Sequence, residues 1–425
     1  MRAAKYETLF GVPGWVKAQY GGPAGVIPDL AVDFMLDRYF VKGQGEVPLS
    51  DILSVSRAST KYAQTVGGIL VPFAANTLAR ADNGALIEEA RTNGIRNNSL
   101  VGAVAGSPGT LPTNWVNNGT TVLTQQVVGT GTEDGIAYID LRLSGTSAGT
   151  GLRLYYEGAT IIAAASGQTF AHSAFVRLVG GSTANINYIQ FSTLPRTSGG
   201  SALPDKGTTL TTSVVAGRLG TGRLSATALM DDATTAYVQP NLFFQFNNAV
   251  AIDITVRIGL PQVELGAFPT SPIVTVGTAV TRAADVPQMI GPALAAALSA
   301  NAAFFQTSGL NHGTGGEYLL RFSGTATMYN GSTTSATIYN GAGLAANFGS
   351  GTIAGVAKSA FGFDASGLSV VVNGGTKATN ASAWALNTGG VYLGTHPTGT
   401  QSINGYMQRF ALSTTKSAFD GITAP

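Results

Sequence analysis

Between residues 121 and 263 the sequence is a series of short segments in which apolar and polar residues alternate. The segments are TVLTQQVV, IAYIDLRL, LRLYYEG, TFAHSAFVRLV, INYIQFST, AYVQPNLFFQF and IDITVRIGLPQV, and they are separated by Gly, Ser, Thr, Asn or Asp. In IAYIDLRL, Ile139 and Leu141 alternate with Asp140 and Arg142, so one side of the strand enters a core and the other faces solvent. A series of such strands predicts a β-sandwich.

A second series of strands follows residues 269–292, where four prolines interrupt any sustained pattern. Its segments are AAFFQTS, EYLLRFS, ATMYNG, ATIYNG, SAFGFD, LSVVVNGG, GVYLGT and GYMQRFAL. The Asn-Gly pairs are typical of tight turns, because both residues accept positive φ. We therefore expect a linker over 269–292, a short helix over 292–300 with proline at its first position, and then a second sandwich.

The predicted fold class is all-β, with two consecutive jelly-roll β-sandwiches behind an irregular N-terminal attachment segment. The expected divisions are the attachment segment over 1–50, a β-rich collar over 51–98, the first jelly roll over 99–268, the linker over 269–292 and the second jelly roll over 293–425.

Residues 1–50 carry many aromatic side chains among Gly and Pro and show little periodicity. These side chains need a surface on which to be buried. Two alternatives remain open: the segment docks onto another protein, or it wraps the first jelly roll of its own chain. The candidate attachment residues are Phe10, Trp15, Tyr20, Phe34, Tyr39 and Phe40.

The composition excludes several classes of function. The 24 basic and 22 acidic residues nearly cancel and form no long run of one sign, so nucleic acid is not an expected partner. The chain has no cysteine, which excludes disulfides, cysteine-ligated metals and a cysteine nucleophile. No signal peptide is evident and no apolar stretch reaches the roughly 20 residues of a membrane helix, so no membrane insertion is expected.

No motif indicates catalysis, and we expect no enzyme. A GxSxG match over 145–149 lies between two strands instead of before a helix, as a nucleophile elbow requires. The three histidines are isolated, and neighbouring acids in a strand point to opposite faces. No cofactor is expected. A structural calcium ion on scattered acids such as Glu133, Asp134 or Asp253 is compatible with the sequence but is not required by it.

Three segments together resemble the framework of phage fibre and head-spike proteins. They are SVSRASTKYAQTVGGIL (54–70), NGALIEEARTN (83–93) and LPQVELGAFPTSPIVTVGTAVTRAADV (260–286). The resemblance implies that the insert is a carbohydrate-binding-module-like jelly roll, followed by a laminin-G or concanavalin-like one. LSVVVNGG, VYLGTH and INGYMQRFAL resemble the last strands of that second module. The framework residues expected to pair where linking strands run side by side are Arg57, Glu88, Arg91, Arg282 and Asp285.

The resemblance further implies a virion structural protein, a tail or head fibre or spike of a phage or phage-like gene transfer particle. Such a protein contacts host-surface polysaccharide during adsorption, and it attaches to other virion proteins through its N-terminal segment. It is expected to be a homo-oligomer, with a trimer favoured, on the surface of a virion assembled in the bacterial host cytoplasm. The alternative is a purely structural decoration or connector protein without glycan binding.

Sugar rings present apolar C–H faces and a rim of hydroxyls, so a glycan site combines a flat aromatic ring with amides, carboxylates or arginine. The glycan-binding candidates are Trp115, Tyr155, Tyr156, Asn187, Tyr188 and Gln190 in the first jelly roll, and Tyr318, Arg321, Trp384 and Asn387 in the second. We expect one of Tyr155 and Tyr156 to face outward. For each aromatic residue, packing in the sandwich core is the alternative role.

Overall fold

The fold is seen in a computed structural model that describes residues 11–20, 27–118, 122–149, 151–300, 302–311, 317–322, 327–332, 335–339, 345–349, 355–372, 378–381 and 390–415. Strands dominate these residues and pair in antiparallel order, which confirms the predicted all-β fold. The helices within the described ranges are α1 (Gly14–Tyr20) and α2 (Pro292–Ala300). Neither of them is long and apolar enough to cross a membrane.

The strands of the first half of the chain are β1 (Leu30–Asp33), β2 (Arg38–Val41), β3 (Gly45–Glu46), β4 (Leu53–Ser56), β5 (Lys61–Gln64), β6 (Leu70–Phe73), β7 (Arg80–Ala81), β8 (Gly84–Ile87), β9 (Arg91–Asn93), β10 (Val116–Asn117), β11 (Thr124–Glu133), β12 (Ile136–Ala148), β13 (Gly151–Tyr155), β14 (Ile162–Ala163), β15 (Thr169–Gly181), β16 (Ile186–Arg196) and β17 (Gly207–Thr209). Those of the second half are β18 (Arg223–Leu229), β19 (Tyr237–Phe246), β20 (Asn248–Leu265), β21 (Val280–Arg282), β22 (Val286–Met289), β23 (Ala303–Asn311), β24 (Glu317–Phe322), β25 (Thr327–Ser332), β26 (Ser335–Tyr339), β27 (Ala345–Gly349), β28 (Gly355–Asp364), β29 (Gly367–Val372), β30 (Ala378–Asn380), β31 (Val391–Leu393) and β32 (Gly405–Ser413). Short 3₁₀ turns occupy Leu49–Asp51, Thr211–Ser213 and Leu219–Thr221.

The chain divides into two compact units, and the second is inserted into the sequence of the first. Unit 1 comprises Met1–Thr60, Phe73–Ala90 and Ala283–Pro425. Unit 2 comprises Lys61–Pro72 and Arg91–Arg282. The two sandwiches are therefore nested in the sequence, whereas the alternating pattern alone had suggested one after the other.

Unit 1 is a sandwich of two sheets in its described part. Sheet I has the order β3-β2-β1-β32-β23-β28-β29-β30, with β8 beside β32 and β7 beside β8, and sheet II has the order β27-β26-β25-β24-β31-β22-β4. Phe305 and Phe410 of sheet I share one apolar core with Leu320 and Val391 of sheet II. Burying each such side chain contributes about 1.5–3 kcal/mol, so this core holds the two sheets together.

The N-terminal segment is part of unit 1. Strand β1 pairs with β32, close to the other end of the chain, and β2 and β3 extend the same sheet. Helix α1 covers the outer side of this sheet, where Trp15 and Tyr20 pack with Phe40 and Ala411. In its described residues, 11–20 and 27–50, the segment is thus neither irregular nor wrapped around the first jelly roll, because its strands complete a sheet of the second.

The proposed attachment aromatics are therefore buried within their own chain. This holds for Trp15, Tyr20, Phe34, Tyr39 and Phe40, whereas Phe10 lies outside the described residues. The Tyr20 hydroxyl also donates to the carbonyl of Val32 at 3.0 Å, which fixes the helix on the sheet. These five aromatic side chains already have the surface on which the sequence predicts them to be buried.

The expected collar over 51–98 and linker over 269–292 are not separate elements. Strand β4 pairs with β22 in sheet II, β8 joins sheet I, and β9 pairs with β21 in unit 2. These strands are too short to bury a core of their own. Each of these strands pairs with one that is about 200 residues or more away in sequence. Local turn patterns do not indicate such distant partners.

The framework segments do run side by side. Arg57 Nη1 lies 2.7 Å from Asp285 Oδ1, and both side chains are fully buried. The other oxygen of Asp285 accepts the backbone N–H of Glu88 at 2.9 Å. In unit 2, Arg91 and Arg282 are register partners in the β9–β21 pair. The buried Arg57–Asp285 pair ties β4 to the segment before β22.

Unit 2 is also a sandwich. Sheet III has the order β11-β12-β20-β15-β18, and sheet IV has the order β10-β13-β19-β16-β17 with β14 beside β19. Ile139 and Ile254 of sheet III share a core with Leu154 and Phe244 of sheet IV. A second apolar cluster in this unit joins Ile136 and Phe175 of sheet III with Leu70 and Leu219.

Candidate functional site

The outer side of sheet IV collects aromatic, amide and charged side chains from three strands. In β13, Leu152 and Leu154 enter the core, so Arg153 and Tyr155 point outward. Antiparallel register partners share a side of the sheet, which places the alternate residues of β16 and β19 beside them. We name this surface the sheet IV face, and its residues are Arg153, Tyr155, Tyr188, Gln190, Ser192, Arg196, Gln239, Asn241, Phe243 and Gln245.

Arg153 is the centre of the sheet IV face. Its guanidinium carbon lies 3.9 Å from the centroid of the Phe243 ring. Nη1 donates to Ser192 Oγ at 3.0 Å and to Asn241 Oδ1 at 3.1 Å, and Nη2 forms an ion pair with Asp205 at 2.7 Å. The Arg153 and Asp205 side chains are 17% and 24% exposed, so the pair is partly withdrawn from water. The stacking and the charged hydrogen bonds fix the guanidinium in one position.

Asp205 reaches the face from the segment between β16 and β17. Its carboxylate also accepts hydrogen bonds from Ser192 Oγ and, at 3.3 Å, from Gln190 Nε2. Gln190 lies flat against the backbone of Gly207, where a Cβ atom would come within 2.3 Å of its amide nitrogen. A larger residue at 207 would have to displace the Gln190 amide from this position.

Phe243 presents a half-buried ring at one end of the face. Tyr188 meets it edge to face, with ring centroids 5.5 Å apart and an interplanar angle of 77°. The ring also lies over Gly151, where a Cβ atom would be 2.2 Å from Phe243 Cε2. Gln245 stands beside Tyr188 in the register and donates to the carbonyl of Gly149 at 2.8 Å. This end combines two aromatic rings with an oriented amide.

Arg196 occupies the other end of the face. Its Nε donates to Gln239 Oε1 at 3.0 Å, and its guanidinium carbon lies 5.9 Å from the centroid of the Tyr155 ring. Gln239 is itself oriented, because its Nε2 donates to the carbonyl of Glu157 at 2.8 Å. A second arginine is thus held above an aromatic ring on the same surface.

Ser192, Gln239 and Asn241 are buried, so the accessible groups of the face are half-buried ones. These are the Phe243 ring and the side chains of Arg153, Tyr188, Gln190, Arg196 and Gln245. An apolar ring beside oriented hydrogen-bonding groups is complementary to a sugar, which has C–H faces and hydroxyl edges. The charged groups described on the face are two arginines, Arg153 and Arg196, and the Asp205 carboxylate that is ion-paired with Arg153. Such groups can bind a polar ligand through hydrogen bonds and charge.

Comparison with known proteins finds no matching family model and no matching curated protein. Solved structures that resemble the chain include the CBM22-1 xylan-binding domain from Paenibacillus barcinonensis, at 14% identity and a TM-score of 0.24, covering 40% of this chain and 96% of that chain. Another is a carbohydrate-binding module of the β-sandwich superfamily, at 14% identity and a TM-score of 0.29, covering 55% and 84%. The tripod from the baseplate of bacteriophage Tuc2009 is a third, at 10% identity and a TM-score of 0.26, covering 77% and 95%. Similarity this low assigns no function.

The sheet IV face includes some of the residues that the sequence suggested. Tyr188 and Gln190 lie on it. Asn187 is exposed on the same strand, at a bulge that interrupts its register with β19. Tyr155 points to the same side but is only 9% exposed, because Arg196 lies over its ring.

Trp115 and Tyr156 are core residues, and their assignment to glycan contact is corrected. Both are buried in unit 2, with ring centroids 4.6 Å apart. Trp115 Nε1 donates to the carbonyl of Asn97 at 3.0 Å, so its polar atom is satisfied inside the protein. One tyrosine of the Tyr155–Tyr156 pair, Tyr155, does face outward, but the arginine over its ring covers it.

Two candidates of the second jelly roll, Tyr318 and Arg321, belong to unit 1. Arg321 lies over the ring of Tyr318 at 4.9 Å in unit 1, and the Tyr318 ring centroid is 5.8 Å from that of His396. Burial, with a smaller effect of Arg321, lowers the pKa of His396. Trp384 and Asn387 lie outside the described residues.

Sequence reasoning missed the residues that form the centre of the face, which are Arg153, Asp205, Asn241 and Phe243. A signal was present for three of them: in LRLYY and QPNLFFQF the residues that alternate with core positions are polar or aromatic. Asp205 had no such signal, since it lies in a loop whose path depends on the folded sheet.

Proposed function

We propose that this chain is a structural protein of a phage or phage-like particle, and that its inserted sandwich binds host-surface glycans through the sheet IV face. The observation that carries the glycan proposal is Phe243, a half-buried ring flanked by Tyr188 and held under the Arg153 guanidinium. The particle assignment is supported by the resemblance of segments 54–70, 83–93 and 260–286 to the fibre and head-spike framework.

The proposal includes a homo-oligomer, with a trimer favoured, on the virion surface, and no catalytic step. It places no virion partner on the N-terminal aromatics, because those that the structure describes are buried within unit 1. Light scattering of the purified chain measures the copy number, and a particle reconstruction locates it on tail or head.

The glycan proposal is tested with the full chain on an array of bacterial surface polysaccharides, followed by calorimetry on those that bind. Phe243→Ala is expected to weaken binding about tenfold or more, because it removes the apolar platform. Tyr138→Ala is the matched control: Arg257 lies 3.6 Å over the Tyr138 ring, but on the opposite sheet.

Equal affinity of the two variants would place the site elsewhere. If no polysaccharide binds, the chain is a decoration or connector protein without glycan binding. Both variants are compared by thermal unfolding, so that a loss of binding is not confused with a loss of fold.

A further inference from the structure

We infer that the glycan bound by the sheet IV face is acidic, and that Arg196 binds its carboxylate group. The inference rests on the proposed function and adds the class of sugar that the face selects. It begins with the charges of this surface. Arg153 is paired with Asp205 at 2.7 Å, and Lys206 is paired with Asp231 at 2.6 Å. The described contacts of Arg196 are instead with neutral oxygens.

Glu157, whose backbone carbonyl binds Gln239, is engaged elsewhere through its carboxylate. The Gln239 side chain accepts from Arg196 and donates to the backbone carbonyl of Glu157, not to the Glu157 carboxylate. The Glu157 carboxylate is fully buried and forms an ion pair with Arg96 at 2.9 Å. Arg196 therefore contributes a positive charge to the face that no carboxylate of the described residues offsets.

Arg196 keeps hydrogen-bonding capacity for a ligand. Gln239 Oε1 accepts from both Nε and Nη2, and the carbonyl of Gly200 accepts from Nη1 at 3.3 Å. A guanidinium has five N–H groups, so one on each terminal nitrogen stays available. Two N–H groups are what a bidentate carboxylate contact uses. Because Gln239 already fixes the side chain, binding costs little conformational entropy.

Comparison with Arg177 shows why accessibility matters. Arg177 also donates to neutral acceptors, the carbonyl of Arg218 at 3.0 Å and Thr221 Oγ1 at 2.8 Å. It is only 9% exposed, and those contacts enclose it. Arg196 is half-buried and lies on the same side of sheet IV as Phe243, which is also half-buried, with the buried Asn241 and Gln239 side chains between them on β19.

The spacing of the two ends sets the size of the ligand. The Arg196 guanidinium is hydrogen-bonded to Gln239, and Gln239 is four residues from Phe243 on β19. At about 3.3 Å per residue this is about 13 Å. A ligand that touches both ends is therefore an oligosaccharide and not a single sugar, with an apolar ring face at Phe243 and an acidic residue near Arg196.

The test uses the full chain and pairs of polysaccharides that differ only in charge. Alginate, hyaluronan, polygalacturonate and polysialic acid are each compared with a carboxyl-reduced form, and dextran sulfate serves as an anion without carboxylates. The wild type is expected to bind at least one acidic polymer about tenfold more tightly than its reduced form. Arg196→Gln is expected to abolish that preference, so that the acidic polymer and its reduced form bind the variant with equal affinity.

Two further variants separate charge from fold. Arg196→Lys keeps the charge but loses the planar fork, so it is expected to retain part of the preference. Arg142→Gln removes an exposed arginine on sheet III and is expected to change nothing. Circular dichroism and thermal unfolding establish that each variant is folded.

The outcomes distinguish the inference from the function on which it rests. If neutral and acidic forms bind equally, or Arg196→Gln keeps the preference, the acidic specificity is overturned while Phe243-dependent binding stands. Equal binding of dextran sulfate would replace carboxylate recognition by general attraction of anions and overturn the inference. If none of these polymers binds but the array of bacterial polysaccharides identifies a neutral glycan that does, the inference is overturned and the proposed function stands. Failure of both the polymers and the array overturns both proposals.

Discussion

The guanidinium of Arg153 stacks on the ring of Phe243 at 3.9 Å, across two neighbouring strands of sheet IV. The stacking joins a charge and an apolar surface in one rigid pair. Asp205 completes the arrangement from a loop, at 2.7 Å from Arg153. The predictions below test how this pair is held and what stabilises the sandwiches around it.

Asp205→Asn should weaken glycan binding several-fold by releasing Arg153 from its fixed position. The ion pair is partly exposed, so the expected loss of stability is only about 1 kcal/mol or less. Calorimetric affinity and the thermal midpoint are measured together. Asp232→Asn is the control, since that carboxylate bonds to Thr234 within its own turn. Unchanged affinity in Asp205→Asn would show that glycan binding does not depend on the ion pair between Arg153 and Asp205.

Gly151→Ala should displace the Phe243 ring, because the new Cβ would lie 2.2 Å from Cε2 and also 2.9 Å from the carbonyl of Phe244. We expect weaker glycan binding and a loss of about 1–3 kcal/mol of stability from overpacking. Gly67→Ala is the control, since its nearest neighbour is a side-chain oxygen 3.8 Å away. A crystal structure of Gly151→Ala with the ring in place would contradict the prediction.

Unit 2 should lose stability in mild acid because of His172. The ring stacks on Phe191 with centroids 4.3 Å apart, and neither ring nitrogen has a hydrogen-bond partner among the described residues. Burial lowers its pKa to about 3. The unfolded chain, with a histidine pKa of about 6.5, therefore binds the proton first, and stability is full above that pH and falls as the pH drops toward 3.

The slope attributable to His172 is about 1.4 kcal/mol per pH unit within that window. His172→Phe keeps the aromatic stacking and removes the titration. Urea unfolding at neutral pH and near pH 4 should show a smaller difference for the variant than for the wild type. An identical pH dependence in both would mean that other groups control the acid lability.

Arg57→Met should destabilise unit 1 by about 3–5 kcal/mol, because it leaves the buried Asp285 carboxylate without its charged partner. Denaturant unfolding measures the loss. Lys42→Gln is the control: its contact with Asp29 is 3.9 Å long and largely exposed at the lysine, so the expected change is about 0–1 kcal/mol. Similar losses of stability in both variants would show that the buried Arg57–Asp285 pair stabilises the fold no more than the exposed Lys42–Asp29 contact does.

Much of the fold could be predicted from local pattern. The alternation in IAYIDLRL and LRLYYEG corresponds to strands β12 and β13, and the all-β class follows from such segments. The nesting of the units could not be predicted, because it depends on pairs such as β1 with β32, which join opposite ends of the chain. Sequence periodicity contains no information about the partner of a strand.

The sequence by itself determined the side of each strand to which a residue points, because successive side chains alternate across a sheet. Arg153 and Tyr155 therefore share a side whatever surrounds them. Only the tertiary structure decided which outer residues stay accessible. Arg196 covers Tyr155, Trp115 and Tyr156 enter the core, and Asp205 comes from a loop to meet Arg153. Accessibility depends on contacts between residues distant in sequence, and these form only when the sheets pack.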